Sequence, residues 1–213
     1  DARPNWSVLT LDGSLLCRTM FADALWDRRR QAITLHPRGQ TEGPPLSFFS
    51  YPLAELVTLS LLAEGGGLLL HACGVLVENR VLLFSGPSGS GKSSMADLWR
   101  GRGYPVLSDD RIILRTAEQG TLAQGTPWHG DAGTASPAAA PAAALFFLRH
   151  GDHHQATPLS LPVAAGELLR NCFAPYWGRE EMTQLLATVA TISGSIPCFS
   201  LDFALQDDVV DTI

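Results

Sequence analysis

Alternating apolar and polar positions at the start of the chain predict short β-strands. Trp6–Leu11 and Ser14–Arg18 flank Asp12-Gly13, a dipeptide typical of tight hairpin turns. A further strand is predicted at Ala32–His36, while the segment Phe21–Arg30 fits neither a strand nor a helix pattern clearly. The N-terminal part of the chain therefore reads as a small β-region.

A break in this pattern suggests a domain boundary. Gly43-Pro44-Pro45 interrupts the strands with residues that favour turns. We therefore expect residues 1–45 to form a small β-rich appendage and residues 46–213 to form one larger domain. With 213 residues, of which 46% are hydrophobic, the chain can build a sizeable core.

The next part of the chain changes from helical to extended spacing. Leu53–Ala63 has apolar residues at helical spacing and ends at Gly65-Gly66-Gly67. Leu68–Val77 is a long apolar run, and the turn Glu78-Asn79-Arg80 connects it to the strand Val81–Ser85. Because so short a connection joins only antiparallel strands, these two runs are predicted to form a hairpin.

The rest of the chain is predicted to add elements of both kinds, which makes the fold class α/β with a mixed sheet. A polar, glycine-rich loop is expected at Gly125–Gly133, and a linker at Ser136–Ala144, which contains only Ser, Pro and Ala. The predicted helices are Ser93–Arg100, Pro162–Arg170 and Arg179–Ile192, with a last one starting within Asp207–Ile213, and the predicted strands are Tyr104–Leu107, Arg111–Arg115, Leu145–Leu148 and Ile196–Phe203.

The segment after Val81–Ser85 matches the phosphate-binding P-loop pattern G-x-x-x-x-G-K-[ST]. Glycines in such a loop let successive backbone N–H groups point at phosphate oxygens, and the following helix start adds its dipole. Lys92 can reach the β- and γ-phosphates, and the Ser93 hydroxyl can bind Mg²⁺. The alternative is a merely flexible loop. The predicted nucleotide-binding residues are Gly86, Pro87, Ser88, Gly89, Ser90, Gly91, Lys92, Ser93 and Ser94.

Two adjacent carboxylates, Asp109 and Asp110, follow the predicted strand Tyr104–Leu107. One helix and one turn separate them from the P-loop, so the two strands are expected to be neighbours with their carboxyl ends at one edge. One aspartate could approach the Mg²⁺ at Ser93, and the other could accept a proton from an attacking hydroxyl. Which does which is left open, and a solvated Asp-Asp turn is the alternative.

Several histidines are further candidates. The predicted hairpin brings His71 near the phosphates, where it could bind phosphate or transfer protons, or simply be a hydrogen-bonded core histidine. His129 or Asp131, in the loop TPWHGDAG, could reach the metal or substrate, or belong to a surface loop. The cluster His150, His153 and His154 favours a polar hairpin turn over a metal site.

Composition narrows the class of partner. The net charge of −6 argues against nucleic acid as the main partner. The four cysteines form no C-x-x-C pair and are expected to be reduced thiols of a cytoplasmic protein. The apolar runs are shorter than a membrane span, and no signal peptide is visible, so no membrane partner is expected. Arg111 and Arg115 could neutralise a transferring phosphate, or simply flank a strand.

Over about residues 65–115, the chain resembles the catalytic domain of HPr serine kinase/phosphorylase, whose fold is related to that of phosphoenolpyruvate carboxykinase. The segments HACGVLV, VLLFSGPSGSGKSS and GYPVLSDD carry this resemblance. It implies a P-loop core fed by an antiparallel hairpin, ATP and Mg²⁺ as cofactors, and transfer of phosphate to a serine. It carries over Lys92 and Ser93 as phosphate and metal ligands, Asp109 and Asp110 as base and metal neighbours, His71 as a phosphate-side residue, and Asp131 in place of a metal-binding glutamate.

The chain also departs from that family. Ser94 stands where the family usually has glutamate, and only about 45 residues stand in place of its large N-terminal domain. The chain looks more like the short HPr kinase-like proteins encoded beside peptide-modification enzymes. We therefore predict ATP-dependent transfer of phosphate to a serine hydroxyl of a peptide or small protein. The alternatives are a catalytically silent nucleotide-binding module in a biosynthetic complex, and a small-molecule kinase. A homo-oligomer is compatible with the sequence.

Overall fold

Two β-sheets organise the part of the chain that the computed structural model describes, which is residues 6–11, 13–19, 22–38, 52–118, 120–204 and 208–213. The smaller sheet is antiparallel, in the order β1-β2-β3-β4. Its strands are β1 (Trp6–Leu11), β2 (Ser14–Thr19), β3 (Ala22–Asp27) and β4 (Ala32–Pro37).

The predicted N-terminal hairpin is confirmed by the pairing of β1 with β2. Gly13 has a left-handed φ of +81°, which a tight turn requires and glycine adopts freely, while Asp12 lies outside the described residues. The segment that sequence left ambiguous contains β3, where Ala22, Ala24 and Trp26 are buried in alternation. Alternation over so few residues is a weak signal on its own, which is why the sequence left the segment open.

The small sheet packs on helix α1 (Leu53–Glu64). One apolar cluster contains Cys17 and Trp26 of the sheet together with Leu53, Leu56 and Val57 of the helix. At the edge of this contact, Arg28 binds the carboxylates of Glu64 and Glu181. The predicted boundary at Gly43-Pro44-Pro45 lies outside the described residues.

The larger sheet is mixed and has the order β11-β13-β10-β6-β5-β8-β9, with β7 and β12 also paired to β5. The strand β6 is antiparallel to β5 and parallel to β10, so the predicted hairpin and the mixed α/β class are confirmed. The elements are β5 (Gly67–Val77), β6 (Arg80–Ser85), α2 (Lys92–Gly101), β7 (Val106–Ser108), β8 (Arg111–Ala117), β9 (Gly120–Gly125), β10 (Ala139–His150), β11 (Gln155–Pro158), α3 (Leu161–Asn171), β12 (Cys172–Phe173), α4 (Arg179–Ser195), β13 (Cys198–Phe203) and α5 (Val209–Thr212).

The position of β5 corrects one expectation about the site. The strands β6 and β7 are not neighbours, because β5 lies between them and pairs antiparallel with both. Gly74 and Val75 of β5 pair with β6 on one edge of the strand and with β7 on the other. Since β6 and β7 are each antiparallel to β5, they run in the same direction, and their carboxyl ends still meet at one edge of the sheet.

The linker predicted at Ser136–Ala144 is wrong for most of its length. Ala139–His150 is a single strand, β10, which pairs first with β9 and then with β6. Ala140, Ala142 and Ala144 are buried in alternation against the core. Alanine and proline are weak strand formers, so composition alone suggested a linker, whereas burial on a closely packed sheet decides the outcome.

The polar turn around residues 151–154 is not a hairpin. The strands β10 and β11 do not pair, because β13 lies between them and pairs with both. His153 and His154 therefore lie on the connection that leads from β10 past β13 to β11, and His150 is the last residue of β10.

Helices cover both faces of the large sheet. Met95, Ala96 and Trp99 of α2 belong to one buried cluster, and Leu168 of α3 and Ile192 of α4 belong to the other. No helix among the described residues is long and apolar enough to cross a bilayer. All four cysteines are free thiols. The sheet edge at which β6, β7 and β10 end is where the candidate site lies.

Candidate functional site

Residues 86–91, between β6 and α2, form a tight turn that we call the glycine-rich loop. Gly89 and Gly91 have left-handed φ angles of +79° and +97°. A Cβ on Gly86 would lie 2.6 Å from the Ser90 hydroxyl oxygen, and a Cβ on Gly91 would lie 2.6 Å from the Phe203 ring. Backbone angles and close contacts therefore both require glycine in this loop.

Lys92 begins α2 and folds its side chain back over the glycine-rich loop. Its Nζ donates hydrogen bonds to the carbonyl oxygens of Gly86 and Pro87, both at 2.9 Å, and the residue is only 6% exposed. Burial lowers the pKa of Lys92, while the charge of Asp110 acts in the opposite direction. The loop thus has a buried cation across its opening.

Other groups around the loop suit an anion. The Ser90 hydroxyl is buried and has no hydrogen-bond partner among the described residues. Helix α2 has no side-chain cap and no acidic residue in its first turn, where Ser93 and Ser94 lie. The first N–H groups of a helix are left without intrahelical partners. Together these features leave donors and positive potential at the loop.

His71 and Asp110 meet beside the loop. His71 Nε2 lies 3.3 Å from Asp110 Oδ1. The Ser85 hydroxyl donates to the His71 carbonyl at 2.9 Å, and the Ala72 N–H donates to the Asp110 carbonyl at 3.0 Å. These bonds hold the end of β6, the middle of β5 and the segment after β7 together.

The pKa of Asp110 is lowered in this position. The hydrogen bond with His71 is the largest cause, and the positive charges of Arg111 and Lys92 add to it, while burial opposes it. The Asp110 carboxyl group is therefore ionised at neutral pH. It lies close enough to Lys92 for each to influence the other's pKa.

This lowered pKa predicts how stability depends on pH. A carboxyl group whose pKa is lower in the folded than in the unfolded chain stabilises the fold above its ordinary pKa of about 4, and that contribution is lost as pH falls. We therefore expect the stability difference between wild type and Asp110→Asn to shrink as pH falls from about 6 to about 3. Urea unfolding at both pH values measures this stability difference, and the exposed Asp131→Asn is the control. A stability difference that stays constant with pH would contradict a lowered pKa for Asp110.

Arg111 links Asp110 to helix α1. Its guanidinium lies 2.8 Å from Glu55 Oε2 and 3.2 Å from Asp110 Oδ2, and it lies over the rings of Phe173 and Trp128, 4.8 and 5.5 Å from their centroids. Burial raises the pKa of Glu55, and Arg111 opposes that shift. A row of groups with alternating charge thus extends from the loop to α1.

The sequence pattern indicates Arg111 as a candidate, but it does not indicate Glu55 or Phe173. Glu55 is the first acidic residue of an otherwise mostly apolar helix, and that isolation was the one signal available for it. Arg115, the other predicted cation, is exposed and pairs with Gly67 at the far end of the β5–β8 ladder. The structure therefore brings Arg111 to the site and leaves Arg115 away from it.

Asp109 points away from this row of charges and organises the loop after β9. It is 1% exposed, and its carboxylate accepts hydrogen bonds from the N–H groups of Gly130, Ala132 and Thr134 at 3.0, 2.8 and 3.3 Å. A Cβ on Gly130 would lie 2.9 Å from the same carboxylate. Both oxygens of Asp109 are engaged by the backbone.

We expect Asp109→Asn to destabilise the fold. An amide places an N–H₂ group among three N–H donors and removes charge-assisted bonds, so the free energy of unfolding should fall by about 2–4 kcal/mol. Urea denaturation at neutral pH measures this, and Asp131→Asn, an exposed aspartate of the same loop, should change stability by less than about 0.5 kcal/mol. If the free energy of unfolding of Asp109→Asn fell by less than about 0.5 kcal/mol, the three hydrogen bonds would not be what holds the loop.

The other predicted residues of this loop are on its surface. His129 and Asp131 are both exposed. Among the described residues, no group of three or more His, Cys, Asp or Glu side chains is arranged to hold a metal ion. Magnesium at a phosphate-binding loop takes its ligands largely from phosphate oxygens, a hydroxyl and water, so such a cluster is not required for it.

The three histidines at and after the end of β10 have separate partners. His153 Nε2 lies 3.4 Å from Gln155 Oε1, and His154 Nε2 lies 2.9 Å from Asp208 Oδ1. His150 instead reaches the glycine-rich loop, where its Nε2 lies 3.1 Å from the carbonyl oxygen of Gly89. This contact was not predictable from the sequence, because no local pattern shows that the end of β10 lies beside the loop.

Comparisons with known proteins add little to this description. No protein-family model matches the chain, and no curated protein matches it by sequence. Among solved structures, it is similar to the HPr(Ser) kinase/phosphatase from Coxiella burnetii, with 12% identity and a TM-score of 0.38 over 68% of this chain and 94% of that chain.

Proposed function

We propose that this protein is an ATP-dependent kinase that transfers phosphate to a serine hydroxyl of a peptide or small protein. One observation carries the proposal. A glycine-rich loop closed by a buried lysine lies at the same sheet edge as a carboxylate held by a histidine, with Lys92 and Asp110 close enough to shift each other's pKa.

The loop has the groups that a triphosphate needs. Gly86 to Ser94 would bind the phosphates through backbone N–H groups, through Lys92, and through the Ser90 hydroxyl, for which the described residues offer no hydrogen-bond partner. Lys92 Nζ would exchange its two carbonyl partners for phosphate oxygens. Ser93 would hold Mg²⁺, which supplies charge neutralisation at the phosphates.

Asp110 is the residue that we assign as the base. Asp109 is engaged by three N–H groups, whereas Asp110 is half-buried and faces His71 and Lys92. The acceptor oxygen would attack the γ-phosphorus, the bond from that phosphorus to the bridging oxygen would break, and the hydroxyl proton would pass to Asp110. A carboxylate with a lowered pKa is a weak base, which suits a loose transition state in which little charge develops on the acceptor oxygen.

The surroundings of the site favour a bulky acceptor. Pro87, Ser88 and Gly89 at the tip of the loop are exposed, as are His129 and Asp131. Arg111, with the rings of Phe173 and Trp128, forms a wall of one cation and two aromatic groups beside Asp110. Such a wall can hold an extended peptide segment through cation–π, stacking and carbonyl contacts.

The test is transfer of label from γ-labelled ATP to the small proteins encoded beside the gene. We expect label on a serine of one of them, and none with Lys92→Met. Label in a metabolite and in none of the proteins would favour a small-molecule kinase. Tight ATP binding without transfer or hydrolysis would favour the nucleotide-binding module, and either result would defeat the proposal.

A further inference from the structure

His150 lies beside the glycine-rich loop on the side away from His71. It is the last residue of β10, which pairs parallel with β6, and Phe147 of β10 lies opposite Ser85 at the end of β6. From that level β10 extends three more residues, while the chain after Ser85 turns into the loop. The end of β10 thus lies alongside the loop.

The contact between His150 and the loop is a specific hydrogen bond. A carbonyl oxygen can only accept, so His150 donates through Nε2–H to Gly89 at 3.1 Å. The peptide unit between Gly89 and Ser90 is planar, with its carbonyl and its N–H pointing in opposite directions. The Ser90 N–H in turn donates to the Pro87 carbonyl at 3.1 Å. This peptide unit is therefore held at both ends.

The loop tip has open space on its other side. A Cβ on Gly89 would meet no atom within 4 Å, and Gly89 has a left-handed φ that glycine can easily leave. Pro87, Ser88 and Gly89 are exposed. The bond from His150 is therefore a contact that reaches this exposed tip from a distant part of the chain.

Phe203 supports this arrangement from below. Its ring is 1% exposed, packs against Gly91 and stacks with the His150 ring, with 6.1 Å between centroids and 26° between planes. Phe203 is the last residue of β13, the other neighbour of β10. The ends of two strands thus support the loop at Gly89 and Gly91.

We propose that His150 is a positioning residue of the glycine-rich loop: its bond to Gly89 fixes the peptide unit that shapes the loop for a phosphate chain. This inference rests on the proposed function for the identity of the anion, though not for the effect on the loop. Anion binding by backbone N–H groups is strong only when those groups are already oriented. Loss of the bond should therefore weaken phosphate binding without changing the fold.

Three variants separate the hydrogen bond from the ring. His150→Phe keeps a ring against Phe203 and removes the donor. His150→Gln keeps an amide N–H at about the position of Nε2 and removes the ring. His153→Phe is the matched control, because His153 lies three residues after His150, on the connection that follows β10, and contacts Gln155 instead of the loop.

Hydrogen exchange of the ligand-free protein and calorimetry with ATP and inorganic tripolyphosphate give the readouts. In His150→Phe we expect exchange across residues 86–90 to speed up about fivefold or more, and both ligands to bind about tenfold more weakly. His150→Gln and His153→Phe should match the wild type, and all three variants should keep its melting temperature.

The outcomes distinguish this inference from the proposed function. Unchanged exchange in His150→Phe, or wild-type binding of tripolyphosphate in that variant, would overturn the inference. A wild-type protein that binds neither ligand would defeat the proposed function, while faster exchange in His150→Phe alone would still support the role of His150 in the loop.

Discussion

The Lys92→Met variant is expected to lose at least about 30-fold in affinity for ATP·Mg²⁺ and to lose phosphate transfer completely. Lys92 is the cation across the glycine-rich loop, and its Nζ makes two hydrogen bonds at 2.9 Å to loop carbonyls that a phosphate would replace. A charge-assisted bond of this kind contributes about 2 kcal/mol or more, and neutralisation of the transferring group adds to it during the reaction. Calorimetry measures the binding loss and a label assay measures the transfer.

Methionine is chosen because it keeps a long, unbranched side chain in a nearly buried position. The melting temperature of the Lys92→Met variant should be compared with that of the wild type, because the carbonyls of Gly86 and Pro87 lose their hydrogen-bond donor. Arg80→Met is the matched control, since it also replaces a positively charged side chain by methionine, but at the exposed start of β6. Wild-type binding and turnover in Lys92→Met would show that the loop is not a phosphate site.

The Asp110→Asn variant is expected to bind ATP with nearly wild-type affinity and to transfer phosphate at least about 100-fold more slowly. The amide keeps the size of the side chain and a contact with His71, but it cannot accept the hydroxyl proton. Binding should change little, because the loop and Lys92 supply most contacts to the phosphates. Single-turnover transfer of label, alongside calorimetry, separates the two effects.

Asp131→Asn is the matched control for this second variant, because Asp131 is exposed and, among the described residues, no hydrogen bond or ion pair joins its side chain to His71 or Asp110. It also tests the sequence-based expectation that Asp131 is a metal ligand. Full transfer by Asp110→Asn would reject the assignment of the base. A large loss of phosphate transfer in Asp131→Asn, with ATP binding intact, would place the chemistry at the loop after β9 instead of at Asp110.

The sequence predicts the parts of the fold that depend on short-range pattern. The turn at residues 78–80 is too short for anything but antiparallel pairing, so the β5–β6 hairpin was predictable. The position of β5 between β6 and β7 was not, since it depends on which long-range pairs a strand of 11 residues can make. In the same way, Ala140, Ala142 and Ala144 belong to a strand because of what packs on them, which composition does not show.

The same distinction between short-range pattern and long-range contact applies to the candidate site. The sequence predicted that the β5–β6 hairpin brings His71 to the end of β6, where the glycine-rich loop begins. The contact between His71 and Asp110 was not predicted, because it depends on the pairing of β5 with β7 and β8. Adjacent residues at a strand end point to opposite sides, but only the structure shows that Asp109 turns inward and Asp110 faces the loop. Glu55 and His150 come from distant parts of the chain, so no local pattern could place them.

The central claim is that residues 86–94 bind the phosphates of a nucleotide, and equilibrium titration tests it most directly. The wild-type protein should be titrated with ATP·Mg²⁺ and, in parallel, with adenosine. Because the phosphates would receive the contacts of the loop and Lys92, we expect ATP to bind at least about 100-fold more tightly than adenosine. Equal affinity for the two ligands, or no binding of ATP, would contradict the account.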